Sequence, residues 1–411
     1  MVLTQEENDL LTRVGPGTPG GELLRRYWLP IAAAQELTDE NPTQFVRVLG
    51  EDLVLFKDKS GNIGLIQDHC VHRGASLLYG RVEERGISCA YHGWLYDTQG
   101  NCLETPAEPA DSKFYLTVKA RVYPVRRFLG LCWAYMGPPP APEIPPYDVW
   151  TRKDGTHRVH FQPQLDCNWI QAMENSVDPA HNQILHQRIT FSGIYPDGSL
   201  GPVDDEPLIP ESTTRGFVDW IQAYDWFEVP YGGVMKKRLF INGMVDEHPV
   251  IFPNILQHLT GTQIRVPIDD THTKIIFISF VPTKDGSVVE DEPEPTARYI
   301  EPYKTPAENI HPYTRFDMSQ GQMQDHMAWE TQGPIANRTI ERLATTDRGV
   351  MMYREMLARE ILRVQEGEDP LGIIRDPDHP IIETSLKDRV RVLRAGFESA
   401  DPARRARLTV A

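Results

Sequence analysis

The chain has 411 residues, 40% hydrophobic and 24% charged, enough to bury a core in each of two or three domains. Its net charge of −16 at pH 7 argues against nucleic acid as a partner, because phosphate backbones reward basic surfaces. No run of roughly eighteen apolar residues occurs, and Met1 to Asn8 carry neither the basic nor the apolar part of a secretory leader. A cytoplasmic protein that does not enter membranes is therefore expected.

Residues 1–26 carry a helix-like pattern through Leu10, Leu11, Val14, Leu23 and Leu24, interrupted by Gly15-Pro16-Gly17-Thr18-Pro19-Gly20-Gly21. That stretch lacks the Gly-Lys-Ser/Thr ending of a phosphate loop and reads as a turn. From 27 to 137 the segments are short, β-branched or aromatic, as in Phe45–Leu49, Leu53–Phe56 and Leu131–Tyr135. Turn residues at Asp58–Asn62 and Thr98–Asn101 join them as hairpins, so a small all-β domain is predicted. Prolines between 138 and 149 form a stiff connector. Residues 150–411 read as α+β. A buried strand runs through Lys274–Val281, and a helical stretch near 318–366 is broken at Gly333-Pro334. Between these, 283–313 is rich in proline and acid and predicts a mobile surface loop.

Two short loops in the all-β part carry metal-ligand chemistry. Cys70-Val71-His72 is followed, after sixteen intervening residues, by Cys89-Ala90-Tyr91-His92. Each loop offers one thiolate and one imidazole, which suits a cluster with two unlike irons, two cysteines on one and two histidines on the other. Two Cys and two His also suit zinc, but zinc pairs usually come as Cys-x-Cys followed by His-x-His rather than as mixed loops. His69 is a neighbour rather than a ligand, because the C-x-H spacing already uses His72. The remaining cysteines, Cys102, Cys132 and Cys167, read as free buried thiols.

The second constellation is Asn175-x2-Asp178-x2-His181-x4-His186. Asp178 and His181, three apart, would share a helix face and hydrogen-bond. His186 lies roughly 140° round an ideal helix from His181, so the helix must end or distort between them. Two imidazoles plus one carboxylate with open positions is the facial triad of non-haem Fe(II) oxygenases.

With their flanks, the loops read Cys70-Val-His-Arg-Gly-Ala and Cys89-Ala-Tyr-His-Gly-Trp-Leu-Tyr-Asp. This resembles the Rieske domain of ring-hydroxylating oxygenases. The resemblance extends to Val14–Gly20, Arg25-Arg26-Tyr27-Trp28 and Gly333–Arg338, which look like the phthalate-dioxygenase branch of terminal oxygenase α subunits.

The resemblance implies a small all-β Rieske domain followed by an α+β catalytic domain with a central antiparallel sheet and flanking helices (helix-grip-like). It implies a 2Fe-2S Rieske cluster on Cys70, His72, Cys89 and His92, and a mononuclear Fe(II) on His181 and His186. Asp178 would bridge His181 to the His92 of a neighbouring subunit, and Asn175 would lie close to the iron. The third ligand would come from Gln324–Ile335, where Asp325 is the choice and Glu330 and Asp347 the fallbacks. His326 should point away from Asp325's metal, because adjacent helix residues diverge. The function implied is cis-dihydroxylation, hydroxylation or O-demethylation of a small aromatic substrate, carboxylates and ethers among them, by O2. Electrons from NAD(P)H would arrive through a separate flavin and iron–sulfur reductase, since no dinucleotide fingerprint occurs in this chain. A homotrimer or dimer of trimers is expected. The alternative is a Rieske electron-transfer protein without oxygenase activity, which would leave the residues beyond the connector unexplained. For the substrate, Arg238 could pair with a carboxylate or be an exposed strand-edge cation. Trp220, Trp226, Phe240 and Phe252 could line an aromatic pocket or belong to the core.

Overall fold

Thr4 starts the first helix: its hydroxyl accepts the Glu7 N–H, and the Glu7 carboxylate accepts the Thr4 N–H. This capping box satisfies two donors that a helix start leaves orphaned. A computed structural model describes residues 2–186, 192–194, 200–202, 221–240, 245–258, 260–310 and 314–384. Helices α1 (Gln5–Thr12) and α2 (Pro19–Leu24) flank the Gly-Pro-Gly stretch. A Cβ on Gly21 would sit 2.4 Å from the Val14 carbonyl oxygen. Glycine is needed there because two backbones approach closely, which accounts for the richness in glycine without a bound phosphate.

The all-β part contains β1 (Trp28–Ala33), β2 (Thr43–Val48), β3 (Glu51–Lys57), β4 (Ile63–Gln67), β5 (Arg81–Glu83), β6 (Gly86–Ser88), β7 (Leu95–Tyr96), β8 (Cys102–Glu104), β9 (Val122–Tyr123), β10 (Val125–Phe128) and β11 (Leu131–Tyr135). They form three antiparallel sheets, ordered β1-β11-β10, β2-β3-β4-β9 and β5-β6-β7-β8. Both expected hairpin turns are present, each closed by an aspartate: Asp58 accepts from the Asn62 N–H and Asp97 from the Asn101 N–H, both at 2.8 Å. The first Cys/His loop joins β4 to β5, and the second joins β6 to β7.

Beyond the prolines lie α3 (Asp148–Thr151), β12 (Gly155–Phe161), α4 (Trp169–Val177) and α5 (His181–Ile184), then a small hairpin of β13 (Ser192–Ile194) and β14 (Leu200–Pro202). Six strands follow: β15 (Ile221–Glu228), β16 (Gly233–Phe240), β17 (Val245–Ile251), β18 (Ile255–His258), β19 (Gly261–Pro267) and β20 (Thr273–Pro282). With β12 and β21 (Ala297–Tyr299) they make an eight-stranded sheet ordered β15-β16-β17-β18-β19-β20-β12-β21. Every pairing is antiparallel except β12 with β21. Burial of all seven β19 residues places that strand inside, with both faces covered. The pair β22 (Lys304–Pro306) and β23 (Thr314–Phe316) precedes α6 (Gly321–Glu330) and α7 (Arg348–Gln365). One apolar core runs through both halves, with Trp133 edge-on to Trp150 and Tyr27 to Phe252. Among the described residues no helix is long and apolar enough to cross a membrane.

Two expectations need correction. The segment 283–310 is tied down: Glu292 accepts from His157, Glu294 pairs with Arg127, and β21 adds to the main sheet. Its charges find partners, which composition alone does not reveal; residues 311–313 lie outside the described residues. The helical stretch is interrupted over 331–347, well beyond Gly333-Pro334. That interval is held against α4: Asn168 N–H donates to the Pro334 carbonyl, Gln171 donates to Trp329 and Gly333 carbonyls, and Arg338 pairs with Glu174.

Candidate functional site

The two Cys/His loops are built alike. Cys70 N–H donates to Ala75 O and Gly74 N–H to Cys70 O, at 2.9 and 2.8 Å. Cys89 N–H donates to Trp94 O and Gly93 N–H to Cys89 O, at the same two distances. Gly74 and Gly93 close these turns with φ of +76° and +74°, a region where a side chain is strained. The turns bury Cys70 and Cys89 and leave Val71 and Tyr91 exposed.

The His72 and His92 rings meet edge-on at 4.5 Å, and His72 lies flat on Trp94 at 4.3 Å and 6°. Trp94 is thus a platform for an imidazole. Tyr96 places its hydroxyl 3.2 Å from Cys70 Sγ. Burial pushes the Cys70 thiol up, and the second sulfur, Cys89, adds to the shift. Partial burial, with the neighbouring His72 and Arg73 charges, holds the His92 imidazole below its ordinary value and favours its neutral, ligating form. His72 Nδ1 is buried without a partner, an orphan of the kind a metal would satisfy. Among the described residues only His181, His186 and Asp325 bring three metal-ligand atoms within 4.8 Å of one another. The paired loops bring two sulfurs and two imidazoles together, a donor set that suits the two unlike irons of a cluster. His69 is exposed, with its ring against the Gly74 carbonyl, and takes no part. Cys102, Cys132 and Cys167 are free and buried.

The second centre forms where a helix stops. The Asn168 side chain caps the start of α4 by accepting from the Ile170 N–H. The helix ends at Val177, and Asp178 turns into extended backbone with ψ of 114°. Asp178 Oδ1 then accepts from Ala180 N–H at 2.7 Å, a local turn that launches α5. Asp178 and His181 are therefore not on one helix, as their spacing suggested. They still meet, Asp178 Oδ2 accepting from His181 Nδ1–H at 3.3 Å. Burial would raise the Asp178 carboxyl, but His181 and the Ala180 N–H outweigh it and hold it below its usual value. Asn175 sits partly buried on α4, one turn before Asp178.

The end of α5 at Ile184 releases His186 from the helical spiral, as required. The His181 and His186 rings stand 5.4 Å apart and nearly perpendicular. From the middle of α6, Asp325 brings Oδ1 to 3.8 Å from His181 Nε2 and 3.2 Å from His186 Nε2. That oxygen is buried without an aligned hydrogen bond. Burial works against a charge on His186, yet Asp325 and Gln324 raise it above its ordinary value. Two imidazole edges and an orphaned carboxylate oxygen converging on one point suit a small divalent ion.

The fallback carboxylates are engaged elsewhere. Glu330 pairs with Lys304 at 2.5 Å, and Asp347 accepts from Ala344 N–H near the start of α7. His326 packs between Tyr303 and Trp329, and burial pushes it down to about 3. Sequence reasoning missed Gln324, whose Oε1 accepts from His186 Nδ1–H at 2.8 Å. It also missed Lys236, buried on β16, whose Nζ lies 3.5 Å from the Asp178 carbonyl oxygen. Burial, with Arg238 next, lowers that ammonium to about 8. No motif marks either residue; only β16 and α6 packing beside α5 brings them in.

The substrate candidates fare worse. Arg238 is buried, with Nε donating to Asp246 and Nη1 to Asn182, on a strand between β15 and β17; it is neither an open carboxylate receptor nor an exposed edge. Trp226 donates from Nε1 to the Val177 carbonyl, and Phe252 packs on Tyr27 in the core. Phe240 ends β16, and Trp220 lies outside the described residues.

The chain is similar to known proteins along most of its length. Residues 27–124 match the Rieske [2Fe-2S] domain family, and 316–387 match the LigXa C-terminal domain-like family. The chain is 37% identical to the 5,5'-dehydrodivanillate O-demethylase oxygenase subunit of Sphingobium sp., over 92% of this chain and 84% of that protein. It is 34% identical to the tert-butanol monooxygenase / tert-amyl alcohol desaturase oxygenase subunit of Aquincola tertiaricarbonis, over 88% and 78%. It is 32% identical to the phthalate 4,5-dioxygenase oxygenase subunit of Pseudomonas putida, over 90% and 89%. The structure of NdmA from Pseudomonas putida CBB5 superposes with a TM-score of 0.55 at 20% identity, covering 88% of this chain and 99% of that one, which establishes a shared fold.

Proposed function

The chain belongs to the Rieske non-haem iron oxygenases, as a terminal oxygenase subunit of the phthalate-dioxygenase-like branch, and from that premise we propose which of its residues hold the metals and what they act on. Its cofactors are a Rieske 2Fe-2S cluster and a mononuclear iron, with O2 as co-substrate. When bound, the cluster supplies single electrons and the iron supplies the position at which O2 and substrate meet.

Cys70 and Cys89 would hold one iron of the cluster and His72 and His92 the other, with Trp94 fixing the His72 ring. His181, His186 and Asp325 would hold the mononuclear iron. The observation that carries this assignment is the convergence of both Nε2 atoms on one orphaned Asp325 oxygen. Asp178 orients His181 by accepting its Nδ1 proton, which leaves the lone pair on Nε2; there it accepts the Asn182 side-chain N–H at 2.7 Å, a donor that a bound metal would replace. Asn175, one turn earlier, would border the substrate space. We divide the chain at 1–26, 27–137, 138–149 and 150–411, with one centre in each of the two larger parts.

Electrons come from a separate reductase or ferredoxin; we propose a flavin and iron–sulfur reductase. Val71, Tyr91, Phe114 and Leu116 leave large apolar side chains exposed, the first two on the cluster loops and Phe114 against Trp94. Such a patch favours covering by a second copy, in a ring of three that sets His92 of one chain beside Asp178 of the next. Two of the relatives are named for aromatic carboxylates and one for an aliphatic alcohol. The alignments with the former two span more of this chain, which favours an aromatic substrate, carboxylates included.

The test is iron and acid-labile sulfide content, with the EPR spectrum of the dithionite-reduced protein, for wild type and His181→Ala. A reduced Rieske signal in both, with the mononuclear iron missing only from the variant, is the expected result. If the variant keeps all its iron, the second site is wrongly assigned.

A further inference from the structure

His181 and His186 are oriented by acceptors of unlike charge, one by the Asp178 carboxylate and the other by the Gln324 amide. Gln324 is buried on α6 and engages both ends of its side chain. Its Nε2–H donates to the Met318 carbonyl at 2.9 Å, and its Oε1 lies 2.8 Å from His186 Nδ1. A carbonyl oxygen can only accept, so the amide nitrogen must face Met318 and the amide oxygen must face His186. His186 Nδ1 then carries the proton, and the lone pair is left on Nε2, the atom 3.2 Å from Asp325 Oδ1. Gln324 and Asp325 are neighbours on α6, and adjacent helical positions diverge by roughly 100°. One residue therefore reaches the Nδ1 side of His186 while the next approaches its Nε2 side.

We infer that Gln324 is a positioning residue for the mononuclear metal, setting the tautomer and ring orientation of His186 through a neutral acceptor. The inference rests on His186 being a ligand. It adds an asymmetry to that reading: the ligand His181 leans on a carboxylate, whereas His186 leans on an uncharged group. A carboxylate makes the imidazole it holds a stronger donor than an amide does. The two ligands are thus unequal before any substrate arrives.

The experiment is Co(II) binding to the full chain with its cluster in place and its mononuclear metal removed by chelation. Gln324→Met fills the space without an acceptor, and its Co(II) affinity should fall roughly 10–100-fold with an altered ligand-field spectrum. The reduced Rieske EPR signal should stay unchanged. Gln324→Glu, which keeps an oxygen within reach of Nδ1, should return the affinity toward wild type. Wild-type affinity and spectrum in Gln324→Met would overturn the inference, as would equal losses in the Met and Glu variants, which would mean packing alone. Should the Met variant not fold, Gln324→Asn withdraws the same amide by one methylene, and lowered affinity is again required. His181→Ala, run alongside, separates the two layers: if it binds Co(II) like wild type, the site assignment itself fails, whatever Gln324 does.

Discussion

Asp178 and His181 are joined by a 3.3 Å hydrogen bond that spans the break between α4 and α5. Asp178 spends one carboxylate oxygen on starting α5, through Ala180 N–H, and the other on His181. The same residue thus shapes the backbone that presents His181 and orients the ring. Substituting it should leave the metals in place and disturb their coupling.

In Asp178→Asn the oxygen on Ala180 N–H survives and the charge on His181 is lost. Iron content and the reduced cluster signal should match wild type. Single-turnover product formation should fall by roughly 10–100-fold, the usual cost of losing a partner that orients a ligand. Chemically quenched turnover of pre-reduced protein measures it, and an unchanged rate would remove Asp178 from the pathway.

Asp325 is separated from its fallbacks by what each carboxylate already touches. Asp325→Ala should lose roughly one iron in three, the mononuclear one, and keep the cluster. Glu330→Gln and Asp347→Asn should keep all their iron, because those side chains serve Lys304 and the Ala344 backbone. Metal analysis of the three variants decides it.

The Tyr96 hydroxyl touches Cys70 Sγ, and an O–H donor to a ligating sulfur favours the electron-rich reduced cluster. Tyr96→Phe keeps the buried ring and removes the donor. At about 1 kcal/mol for one hydrogen bond, the cluster potential should fall by about 40 mV. A redox titration followed by EPR reads it, and a rise in potential would contradict the argument.

Acid stability has a specific source near the site. Burial would raise the Glu174 carboxyl, but Arg338 and Arg354, at 2.8 and 2.6 Å, hold it below its ordinary value. A carboxyl depressed in the folded state adds stability above the unfolded value of about 4.3, and loses it as pH falls through the folded value. Glu174→Gln should cost roughly 3–5 kcal/mol at pH 7, since it leaves buried Arg338 without a carboxylate while Arg354 keeps only Glu341. The gap from wild type should narrow below about pH 4, when wild type too loses that ion pair. Denaturant melts at pH 7 and at lower pH test both the size and the direction.

The chemistry was legible because it depends on residue types at short spacing. Cys70, His72, Cys89 and His92 lie in two local turns whose glycines, Gly74 and Gly93, are themselves in the sequence, and His181 and His186 straddle one helix end. Local backbone rules suffice for such loops, so neighbouring residues declare each other. Gln324, Lys236 and the engagement of Arg238 with Asp246 and Asn182 were not legible. Each depends on strands and helices tens of residues apart packing beside α5, and nothing in a local window records which buried charge will meet which partner. The same cause explains why 283–310 looked mobile: its acidic residues read as solvated until His157 and Arg127 are found opposite them. By itself, the sequence determined the metal types, the order of the two centres and the family. Only the tertiary structure decided how the proposed ligands are oriented, because the orienting groups are brought together by the fold and not by the chain.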